Sequence, residues 1–316
     1  MSQHSLPLRA LVLGANGQDG TFLCKLLQDR VSNVSGVGRQ EKLRYEAIAG
    51  PVAYHALDLR DQGELAALLR DVRANRIYHF AAVHQSTEGG GLETAFEDLW
   101  SVNVVSVQTS LEYIRSSNPA CRLIYGSSGR VFGAPLPADI DEGTAHKGGD
   151  LYGESKIAAS RLIDYYRRVH GVEASVVHLF NHESLLRPED FFIPRLVEAL
   201  RQAITKEGTS HLRTLDFWCD WGSAEEYMDI VLAMLEAAPG EDFVLASGRT
   251  VLARSLADSL FRSHGLDHRD FLVTSGSWSP AEPYSVSIGK CRRLVGRVPV
   301  VTIEEVCVEA LKASGC

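Results

Sequence analysis

The sequence predicts an α/β protein with a doubly wound parallel sheet and a smaller mixed α/β region. Two observations carry this prediction. In the first half of the chain, short β-branched runs alternate with longer amphipathic segments, which is typical of parallel strands joined by crossover helices. A glycine-rich turn at residues 14–20 directly follows the first of these runs.

The candidate elements follow from the spacing of apolar residues. Strands are predicted at residues 10–13, 34–38, 52–57, 77–82, 123–126 and 174–179. Helices are predicted between them, at residues 20–30, 61–74, 95–116 and 152–170. After residue 181 the pattern changes to helices at 192–204, 224–238, 253–264 and 303–313, with one strand at 242–246. We therefore assign residues 1–180, with parts of 215–248, to a sheet domain and residues 181–316 to a substrate-binding region.

The composition is that of an ordinary globular protein. Of the 316 residues, 45% are hydrophobic and 23% are charged, which excludes disordered and collagen-like chains. The net charge of −8 argues against nonspecific binding to nucleic acid or anionic membranes. Residues 1–8 do not resemble a signal peptide, no apolar run reaches the roughly 18 residues of a membrane span, and the six cysteines form no Cys-x-x-Cys pair. We expect a cytoplasmic protein with reduced thiols and no metal, nucleic-acid or membrane partner.

The strongest motif is a glycine triplet between the first strand and the first helix. Gly14, Gly17 and Gly20 are spaced three residues apart, and Gln18 and Asp19 lie between the last two. Glycines at such a junction let the backbone approach a pyrophosphate, whose charge then lies against the free N–H groups of the helix N-terminus. An ordinary tight turn is the alternative, but this motif opens the whole series of strands and helices. We therefore predict a Rossmann-type dinucleotide site.

Residues after the next three strands predict the rest of the cofactor site. Arg39 ends the second strand, where an arginine favours the 2′-phosphate of NADP over the ribose of NAD. NAD stays an alternative, because Arg39 could equally be a solvated surface residue. Adenine and ribose contacts are expected from residues after the third and fourth strands, namely Asp58, Leu59, Phe80, Ala81 and Ala82. A helix cap and core packing are the structural alternatives for these residues.

A tyrosine and a lysine at the start of the predicted helix 152–170 form the candidate catalytic pair. Tyr152 and Lys156 are four residues apart and therefore share one face of that helix. A nearby cation favours the phenolate of a tyrosine and makes proton abstraction from an alcohol feasible. A surface tyrosine beside a surface lysine is the alternative. Ser128, at the end of the fifth strand, can bring a hydroxyl group to the same edge of the sheet.

The glycine triplet, the strand-end serine and Tyr-x-x-x-Lys, in this order, resemble the extended short-chain dehydrogenase/reductase family over nearly the whole chain. Four finer motifs narrow the resemblance to the GDP-mannose 4,6-dehydratases of the NAD-dependent epimerase/dehydratase group. They are Gly17-Gln-Asp-Gly20, Leu179-Phe-Asn-His-Glu-Ser184, Asp220-Trp-Gly222 followed by Tyr227, and Asp242-Phe-Val-Leu-Ala-Ser-Gly248. The resemblance implies an NAD(P)-dependent enzyme that acts on a nucleotide sugar.

The resemblance also implies roles for individual residues. Tyr152 would take the proton of the sugar C4 hydroxyl group, while Lys156 would lower the pKa of Tyr152 and bind the nicotinamide ribose. Ser128 stands where the family has a threonine and would contact the sugar. Further binding residues are implied at His182 and Arg187 for the cofactor, and at Asn181 and Arg195 for the substrate. A buried histidine, a surface arginine and a turn-forming asparagine are the corresponding structural alternatives.

One position departs from the catalytic pattern of the family. A dehydratase needs a carboxylate to take the C5 proton and to help water leave from C6, and the family has a glutamate two residues after its threonine. Here that residue is Arg130, which has no acceptor lone pair and stays protonated, so it cannot be the base. Glu154 does not substitute, because it points to a different helical face from Tyr152. Leu186 and Cys219 replace two further arginines of the family, which weakens the implication that the substrate is GDP-mannose.

We therefore predict an NADP-dependent oxidoreductase that acts at C4 of a GDP-linked or other nucleotide sugar, as a reductase or dehydrogenase. The Ser-Ser-Gly-x-Val-aromatic-Gly pattern also resembles the reductases of GDP-4-keto-6-deoxymannose. One alternative is a true GDP-mannose 4,6-dehydratase that recruits another carboxylate, from among Asp139, Asp141, Glu142 and Asp150. A second alternative is a non-catalytic homologue that binds a nucleotide sugar. By resemblance, we expect a homodimer or tetramer formed through helices 95–116 and 152–170.

Overall fold

The structure is a computed structural model that describes residues 8–84, 95–276 and 282–315. The strands in chain order are β1 (Arg9–Leu13), β2 (Asn33–Gly38), β3 (Ala53–Ala56), β4 (Arg76–His79), β5 (Arg122–Ser128), β6 (Asp139–Ile140), β7 (Ala174–Leu179), β8 (Asn181–Glu183), β9 (Ser210–Leu212), β10 (Trp218–Ser223), β11 (Phe243–Leu245), β12 (Thr250–Leu252), β13 (Leu272–Thr274) and β14 (Ser285–Val286). The helices are α1 (Gln18–Leu27), α2 (Glu46–Ala49), α3 (Gln62–Val72), α4 (Phe96–Trp100), α5 (Ser106–Ser117), α6 (Leu151–His170), α7 (Phe192–Thr205), α8 (Ala224–Ala237), α9 (Ala253–Arg262), α10 (His268–Phe271), α11 (Gly289–Val295) and α12 (Ile303–Ala313).

Seven parallel strands form the main sheet, in the order β11-β7-β5-β4-β1-β2-β3. The sequence predicts six of them in one series, and the seventh is the strand predicted separately at 242–246. The chain runs outward from β1 in one direction to β3 and then in the other direction through β4. This reversal leaves a crevice beyond the carboxyl ends of β1 and β4, which is where ligands bind in open α/β sheets. The predicted doubly wound fold is confirmed.

The two faces of the sheet are covered by different helices. Apolar side chains of α1 and α8 cover one face, and α3, α5 and α6 cover the other. Helix α8 and strand β11 both lie within 215–248, the segment that the sequence assigns in part to the sheet domain. The exact division at residue 180 stays a prediction. A separate apolar cluster joins α7, α9 and α12 in the later part of the chain.

The predicted helix 95–116 is interrupted. Residues Ser101–Val105 form a π-helical turn between α4 and α5. At its centre, the fully buried Asn103 accepts a hydrogen bond from the Val83 amide (2.9 Å) and donates to the Ser155 hydroxyl (3.0 Å). π-Helical turns occur often beside functional sites. Here the turn directs one amide side chain to both the segment after β4 and helix α6.

Helix α6 carries the candidate catalytic pair and has well-defined ends. The Asp150 carboxylate accepts a hydrogen bond from the Gly153 amide (2.7 Å), and Gly171 ends the helix at φ +67°. Such caps satisfy backbone groups that the helix itself leaves unpaired. Within the described residues, no helix is both long enough and apolar enough to span a membrane, and no three side chains are grouped as metal ligands.

Candidate active site

A cavity of about 720 Å³ lies beyond the carboxyl ends of β1, β5 and β7. Its wall contains most of the residues that the sequence predicts for cofactor, substrate and catalysis: Gly14, Gly17, Gln18, Asp19, Gly20, Phe80, Ala82, Ser128, Tyr152, Lys156, Asn181, His182 and Arg187. Five predicted residues, namely Arg39, Asp58, Leu59, Ala81 and Arg195, do not line it. The cavity therefore unites the glycine turn, the Tyr-Lys pair and the segment after β7.

The glycine turn needs glycine at two positions for steric reasons. Gly14 has φ +97°, and a methyl group on it would come within 2.7 Å of the Ala81 amide nitrogen. A methyl group on Gly20 would collide with the Gly14 carbonyl oxygen. Helix α1 then begins with Gly17 as its N-cap, with no side chain bonded to its first N–H groups. The turn is therefore closely packed against the sheet while its helix end remains open to an anion.

The loop that carries Arg39 is fastened to this turn by Asn16. The Asn16 amide donates to Gln40 Oε1 (2.9 Å) and to the Tyr54 hydroxyl oxygen (2.9 Å), and Asn16 Oδ1 accepts from the Arg44 amide (2.8 Å). Arg39 itself is exposed beyond the cavity. Nothing in the sequence indicates Asn16 and Tyr54 as residues of the site, because an asparagine in a turn and a tyrosine in a strand carry no signal of their shared contact.

The residues predicted after β3 and β4 fall into two groups. Asp58 forms an ion pair with Arg60 (2.6 Å), and the hydrogen bonds from Arg60, followed by the charges of Arg60 and Arg39, hold the pKa of Asp58 below its usual range. Leu59 is buried in the core, as the structural alternative proposed. Phe80 lies against Gly126, where an added methyl group would come within 2.9 Å of the Phe80 ring. Phe80 therefore lines the cavity, whereas Asp58 and Leu59 do not.

Tyr152 and Lys156 project from the first turns of α6 into the cavity. Lys156 is 2% exposed, and its ammonium group donates to the Gly126 carbonyl oxygen at 2.7 Å. The ammonium nitrogen lies 5.6 Å from the centre of the Tyr152 ring, and the His84 ring meets that ring edge-on at 4.7 Å. Ser128 lines the same cavity, where its hydroxyl oxygen accepts from the Arg130 amide (3.2 Å) and its interaction with Tyr152 lowers the pKa of that phenol against the effect of burial. The structure therefore brings together the three predicted catalytic residues.

Burial shifts the pKa values of this pair in opposite directions. It raises the pKa of Tyr152 to about 12, and it lowers the pKa of Lys156 to about 7. The groups that most oppose the rise at Tyr152 are Ser128, Arg130 and Arg187. The Lys156 ammonium group donates to the Gly126 carbonyl oxygen, with its nitrogen 5.6 Å from the centre of the Tyr152 ring. Tyr152 is a protonated phenol at neutral pH.

Four charged side chains meet where the glycine turn faces the segment after β7. His182 Nε2 lies 2.9 Å from Asp19 Oδ1, and Arg187 Nε lies 3.3 Å from Glu183 Oε2. Burial opposes charge on Asp19, His182 and Glu183, and it raises the pKa of Glu183, which is 3% exposed. The sequence predicts Asp19, His182 and Arg187, but it does not indicate Glu183 as a carboxyl group in the cavity wall.

An aromatic wall closes the opposite side of the cavity. Phe192, Phe217 and Trp221 pack with ring centres 4.9–5.8 Å apart, and Arg213 and Thr214 lie beside them in the wall. Asn181 is near this wall, and its amide donates to Cys219 Sγ (3.1 Å). For Phe192 the sequence predicts only a helix and for Phe217 only a loop, so neither is indicated as a residue of the site.

Arg195 lies elsewhere. It lines a second cavity of about 890 Å³ beside α7, and it donates to the His211 carbonyl oxygen at 2.7 Å. Because α7 turns this side chain away from the aromatic wall, Arg195 does not share a cavity with Tyr152. The expectation that it binds the same substrate gains no support from its position.

The comparisons with known proteins agree with this architecture. The profile of the GDP-mannose 4,6 dehydratase family matches residues 11–286. The chain belongs to the GDP-mannose 4,6 dehydratase family. It is therefore an extended short-chain dehydrogenase/reductase, and the predicted enzyme class of NAD(P)-dependent nucleotide-sugar enzymes is confirmed.

Individual relatives and solved structures extend this result. A GDP-mannose 4,6-dehydratase of Sinorhizobium fredii (strain HH103) is 29% identical over 271 residues, which are 81% of this chain and 76% of the relative. The GDP-mannose 4,6-dehydratase sdnI of Sordaria araneosa is 28% identical over 268 residues, which are 82% of this chain but only 48% of sdnI.

DesIV, a dTDP-glucose 4,6-dehydratase from Streptomyces venezuelae with NAD and TYD bound, has a TM-score of 0.81 at 22% identity and 96% coverage of each chain. RMD from Pseudomonas aeruginosa, complexed with NADPH, has a TM-score of 0.77 at 18% identity, covering 96% of this chain and 98% of that one. Because both structures are less than 25% identical in sequence to this chain, their similarity shows a shared fold and nothing further.

One residue of the cavity wall departs from the catalytic pattern that the family resemblance implies. Arg130 lines the cavity and pairs with Asp150, the N-cap of α6. It is two residues after Ser128, at the position where the family resemblance implies an acid. Asp150 is occupied by this ion pair and by the Gly153 amide.

The other loop carboxylates that the sequence offered as substitutes are also engaged outside the cavity. Asp139 accepts from the Ser285 hydroxyl (2.6 Å), Asp141 from the Gly143 amide (2.9 Å), and Glu142 from the Val244 amide (3.0 Å). None of them lines the cavity described above. Asp19 and Glu183 are the carboxyl groups in its described wall.

Proposed function

We propose that this protein is an NADP-dependent oxidoreductase that interconverts a carbonyl and an alcohol at C4 of a sugar nucleotide. The observation that carries the proposal is Arg130, which lines the cavity where the family resemblance implies an acid, and whose guanidinium group pairs with Asp150. A guanidinium group at this position cannot take the C5 proton that dehydration requires. Hydride transfer at C4 needs only a proton donor, and the cavity wall provides one in Tyr152.

The residues of the glycine turn fit a dinucleotide. The first N–H groups of α1 have no side-chain cap, and a pyrophosphate at a helix N-terminus is stabilised by such groups. Arg39 is exposed at the end of β2, near Asp58, where it would bind the 2′-phosphate of NADP. When bound, the nicotinamide ring supplies a hydride to the sugar carbonyl or accepts one from the alcohol. Lys156 and His182 are the candidates for contacts nearest the nicotinamide end.

The protonation states favour reduction. In the reductive direction, hydride adds to C4 and Tyr152 gives its hydroxyl proton to the oxygen of the former carbonyl, which leaves a tyrosinate and an alcohol. A phenol with a pKa raised to about 12 holds this proton at neutral pH until the developing alkoxide takes it. Ser128 would orient the same oxygen through its hydroxyl group. Lys156 then lies close enough to stabilise the tyrosinate that remains.

The rest of the cavity fits a nucleotide sugar. Phe192, Phe217 and Trp221 provide apolar ring surface, and Arg213 adds a cation beside it. Such a combination suits a molecule with a base or sugar face and a diphosphate. Asn181, which lies beside Trp221, would contact the sugar. We propose a GDP-linked sugar as the substrate, on the strength of the family assignment.

Pairing of two copies through α5 and α6 is a further part of the proposal. Tyr165 and Val169 are 47% and 53% exposed on the outer face of α6. Exposed apolar side chains on a long helix are suited to a helical interface. Sedimentation of the wild type and of a Tyr165→Glu, Val169→Glu variant would test the homodimer.

Product analysis tests the reaction. The protein would be incubated with GDP-4-keto-6-deoxymannose and NADPH, and separately with GDP-mannose and NADP, and the products resolved by mass spectrometry. We expect a product two hydrogens heavier in the first reaction and no loss of water in the second. Efficient loss of water from GDP-mannose would reject the proposal. Binding of both ligands without any turnover would favour the non-catalytic homologue.

One observation favours a second candidate function, which is dehydration with a recruited acid. Glu183 is a buried carboxyl group in the cavity wall, and burial raises its pKa, as a proton-transferring acid requires. Its ion pair with Arg187 favours a structural role instead. If the wild type released water, a Glu183→Gln variant that retained C4 oxidation but lost dehydration would establish this candidate.

A further inference from the structure

The Lys156 ammonium group is enclosed on one side by the ring of Tyr125, a residue to which neither the family motifs nor the proposed mechanism assigns a role. The ammonium nitrogen lies 4.5 Å from the centre of the Tyr125 ring. Both side chains are buried, Tyr125 completely and Lys156 to within 2%. We propose that Tyr125 is a positioning residue whose ring face holds the Lys156 ammonium group in its charged form and in place beside Tyr152.

The surroundings of Lys156 explain why a ring is needed. Burial removes the water that would hydrate the ammonium group. One hydrogen bond, to the Gly126 carbonyl oxygen at 2.7 Å, replaces part of that hydration. The acid whose charge supports the ammonium group is Asp19, but Asp19 is itself paired with His182. An aromatic face attracts a desolvated cation through its quadrupole, which makes the Tyr125 ring a substitute for the missing water.

The other titratable groups around Lys156 supply less of this stabilisation. The Tyr152 ring on α6 is a more distant aromatic face, because its centre lies 5.6 Å from the ammonium nitrogen against 4.5 Å for Tyr125. His79 on β4 is buried, which lowers its pKa to about 3 and keeps it uncharged. Burial, and then the positive charges of Arg187, Arg130 and Lys156, lower the pKa of His84 to about 4. The Tyr125 ring is therefore the nearest aromatic face to the ammonium group among these neighbours.

The Tyr125 ring is itself held in place at its far end. Its hydroxyl group donates to the Asn103 carbonyl oxygen at 3.2 Å, within the π-helical turn. The side chain of Asn103 is bonded to Ser155, which directly precedes Lys156 in α6. Burial also raises the pKa of Tyr125 well above its usual range, so this second phenol stays neutral and does not compete with Tyr152 for the proton.

A ring differs from a carboxylate in its consequence for the reaction. It attracts the ammonium group but carries no net charge, so it does not neutralise the positive charge that Lys156 presents to the tyrosinate that Tyr152 becomes. A carboxylate at position 125 would cancel that charge. This step rests on the proposed function for the role of Lys156, whereas the contact between the Tyr125 ring and Lys156 does not.

Lysine titration tests the proposal directly. The protein would be labelled with [ε-¹³C]lysine, and the Lys156 signal would be identified by its absence from a Lys156→Arg variant. We expect the pKa of Lys156 to be unchanged within experimental error in Tyr125→Phe, which keeps the ring, and to fall by about one pH unit in Tyr125→Leu, which removes it. The Phe variant also separates the ring from the hydroxyl group that bonds Asn103.

A second comparison keeps the test independent of packing defects in the Leu variant. Phenylalanine and 3,4,5-trifluorophenylalanine at position 125 have nearly the same shape, but fluorine weakens the ring quadrupole. We expect the trifluoro variant to show a lower pKa of Lys156 than the Phe variant, with the alkaline limb of the turnover profile shifted in parallel. Equal titrations in these two variants, or an equal shift in Phe and Leu, would overturn the proposal. Because the titration needs no substrate, it gives its answer even if the proposed reaction is wrong.

Discussion

His182 Nε2 lies 2.9 Å from Asp19 Oδ1, and this contact joins the segment after β7 to the first turn of α1. The other ring nitrogen, Nδ1, faces the Phe180 carbonyl oxygen at 2.7 Å. Since a carbonyl oxygen only accepts, Nδ1 carries a proton, and a carboxylate at Nε2 favours a proton there too. Burial opposes the charges, but the mutual attraction raises the pKa of His182 and lowers that of Asp19. The two residues form an imidazolium–carboxylate pair.

The His182–Asp19 pair predicts a pH-dependent contribution to stability. The raised pKa of His182 stabilises the folded protein fully below the unfolded pKa near 6.5, and this stabilisation is lost as pH rises through the pKa in the folded protein. The lowered pKa of Asp19 stabilises the folded protein above pH about 3.9, and this stabilisation is lost as pH falls through the pKa in the folded protein. We therefore expect His182→Gln to lower the free energy of unfolding by about 1.5–3 kcal/mol near pH 5–6, and by less at alkaline pH.

Urea unfolding at a series of pH values measures this difference. His211→Gln is the matched control, because His211 is an exposed histidine in the same half of the chain, and exchanging a surface side chain should change the free energy of unfolding by about 0.5 kcal/mol or less. A destabilisation by His182→Gln that grows steadily from pH 5 to pH 9 would contradict the charged pair.

We expect Arg39, which is exposed directly after β2, to determine the choice between NADP and NAD. We expect Arg39→Ala to weaken the binding of NADP by about 10- to 100-fold and to leave the binding of NAD nearly unchanged, because only NADP offers a 2′-phosphate to the guanidinium group. Isothermal titration with both dinucleotides measures the two affinities. Arg70→Ala, at an exposed position of α3, is the control. An equal loss for the two cofactors would assign Arg39 a structural role.

Replacing the phenol of Tyr152 should reduce turnover without unfolding the protein. We expect Tyr152→Phe to reduce hydride transfer by about 10²- to 10⁴-fold, because the proton donor is removed while the ring is kept. Single-turnover absorbance of NADPH measures the step, and thermal unfolding checks the fold. Tyr165→Phe changes an exposed tyrosine on the same helix and should have no effect. Turnover within a few-fold of the wild type would place the proton donor elsewhere.

Local patterns in the sequence predict much of this site, and long-range contacts account for what they miss. The glycine triplet and Tyr152–Lys156 are visible because turn geometry and helical spacing confine each to one segment. Asn16 and Tyr54 are 38 residues apart, and their 2.9 Å hydrogen bond leaves no periodic signal. The Tyr125 ring is likewise hidden, because a tyrosine in a buried strand reads as core until Lys156, from another element, is placed on its face.

The same reasoning explains the errors in the predicted elements. The apolar spacing of residues 95–116 predicts one continuous helix, but the buried side chain of Asn103 draws the backbone into a π-helical turn. The predicted strand 77–82 ends at His79, because the segment from Phe80 onward passes over Gly14 instead of continuing the ladder. Arg195 was implied as a substrate ligand, yet the direction of its side chain depends on how α7 packs, which sequence spacing does not reveal.

The ion pair between Arg130 and Asp150 predicts that Arg130 is dispensable for hydride transfer while Asp150 is needed for the helix. The two side chains are 44% and 36% exposed, and pairs this exposed contribute about 0–1 kcal/mol. Arg130→Met should therefore change stability little and keep hydride transfer within about tenfold, since general acid catalysis by a residue typically accounts for about 10²-fold or more.

Asp150→Ala also removes the N-cap of α6, and should lower the free energy of unfolding by about 1 kcal/mol, whereas Asp150→Asn keeps a good cap. Urea unfolding and hydride-transfer rates of the three variants separate the cap from the charge. A rate lost in Arg130→Met but kept in Asp150→Asn would make Arg130 itself part of the chemistry, because the ion pair is broken in both variants and only the guanidinium group differs.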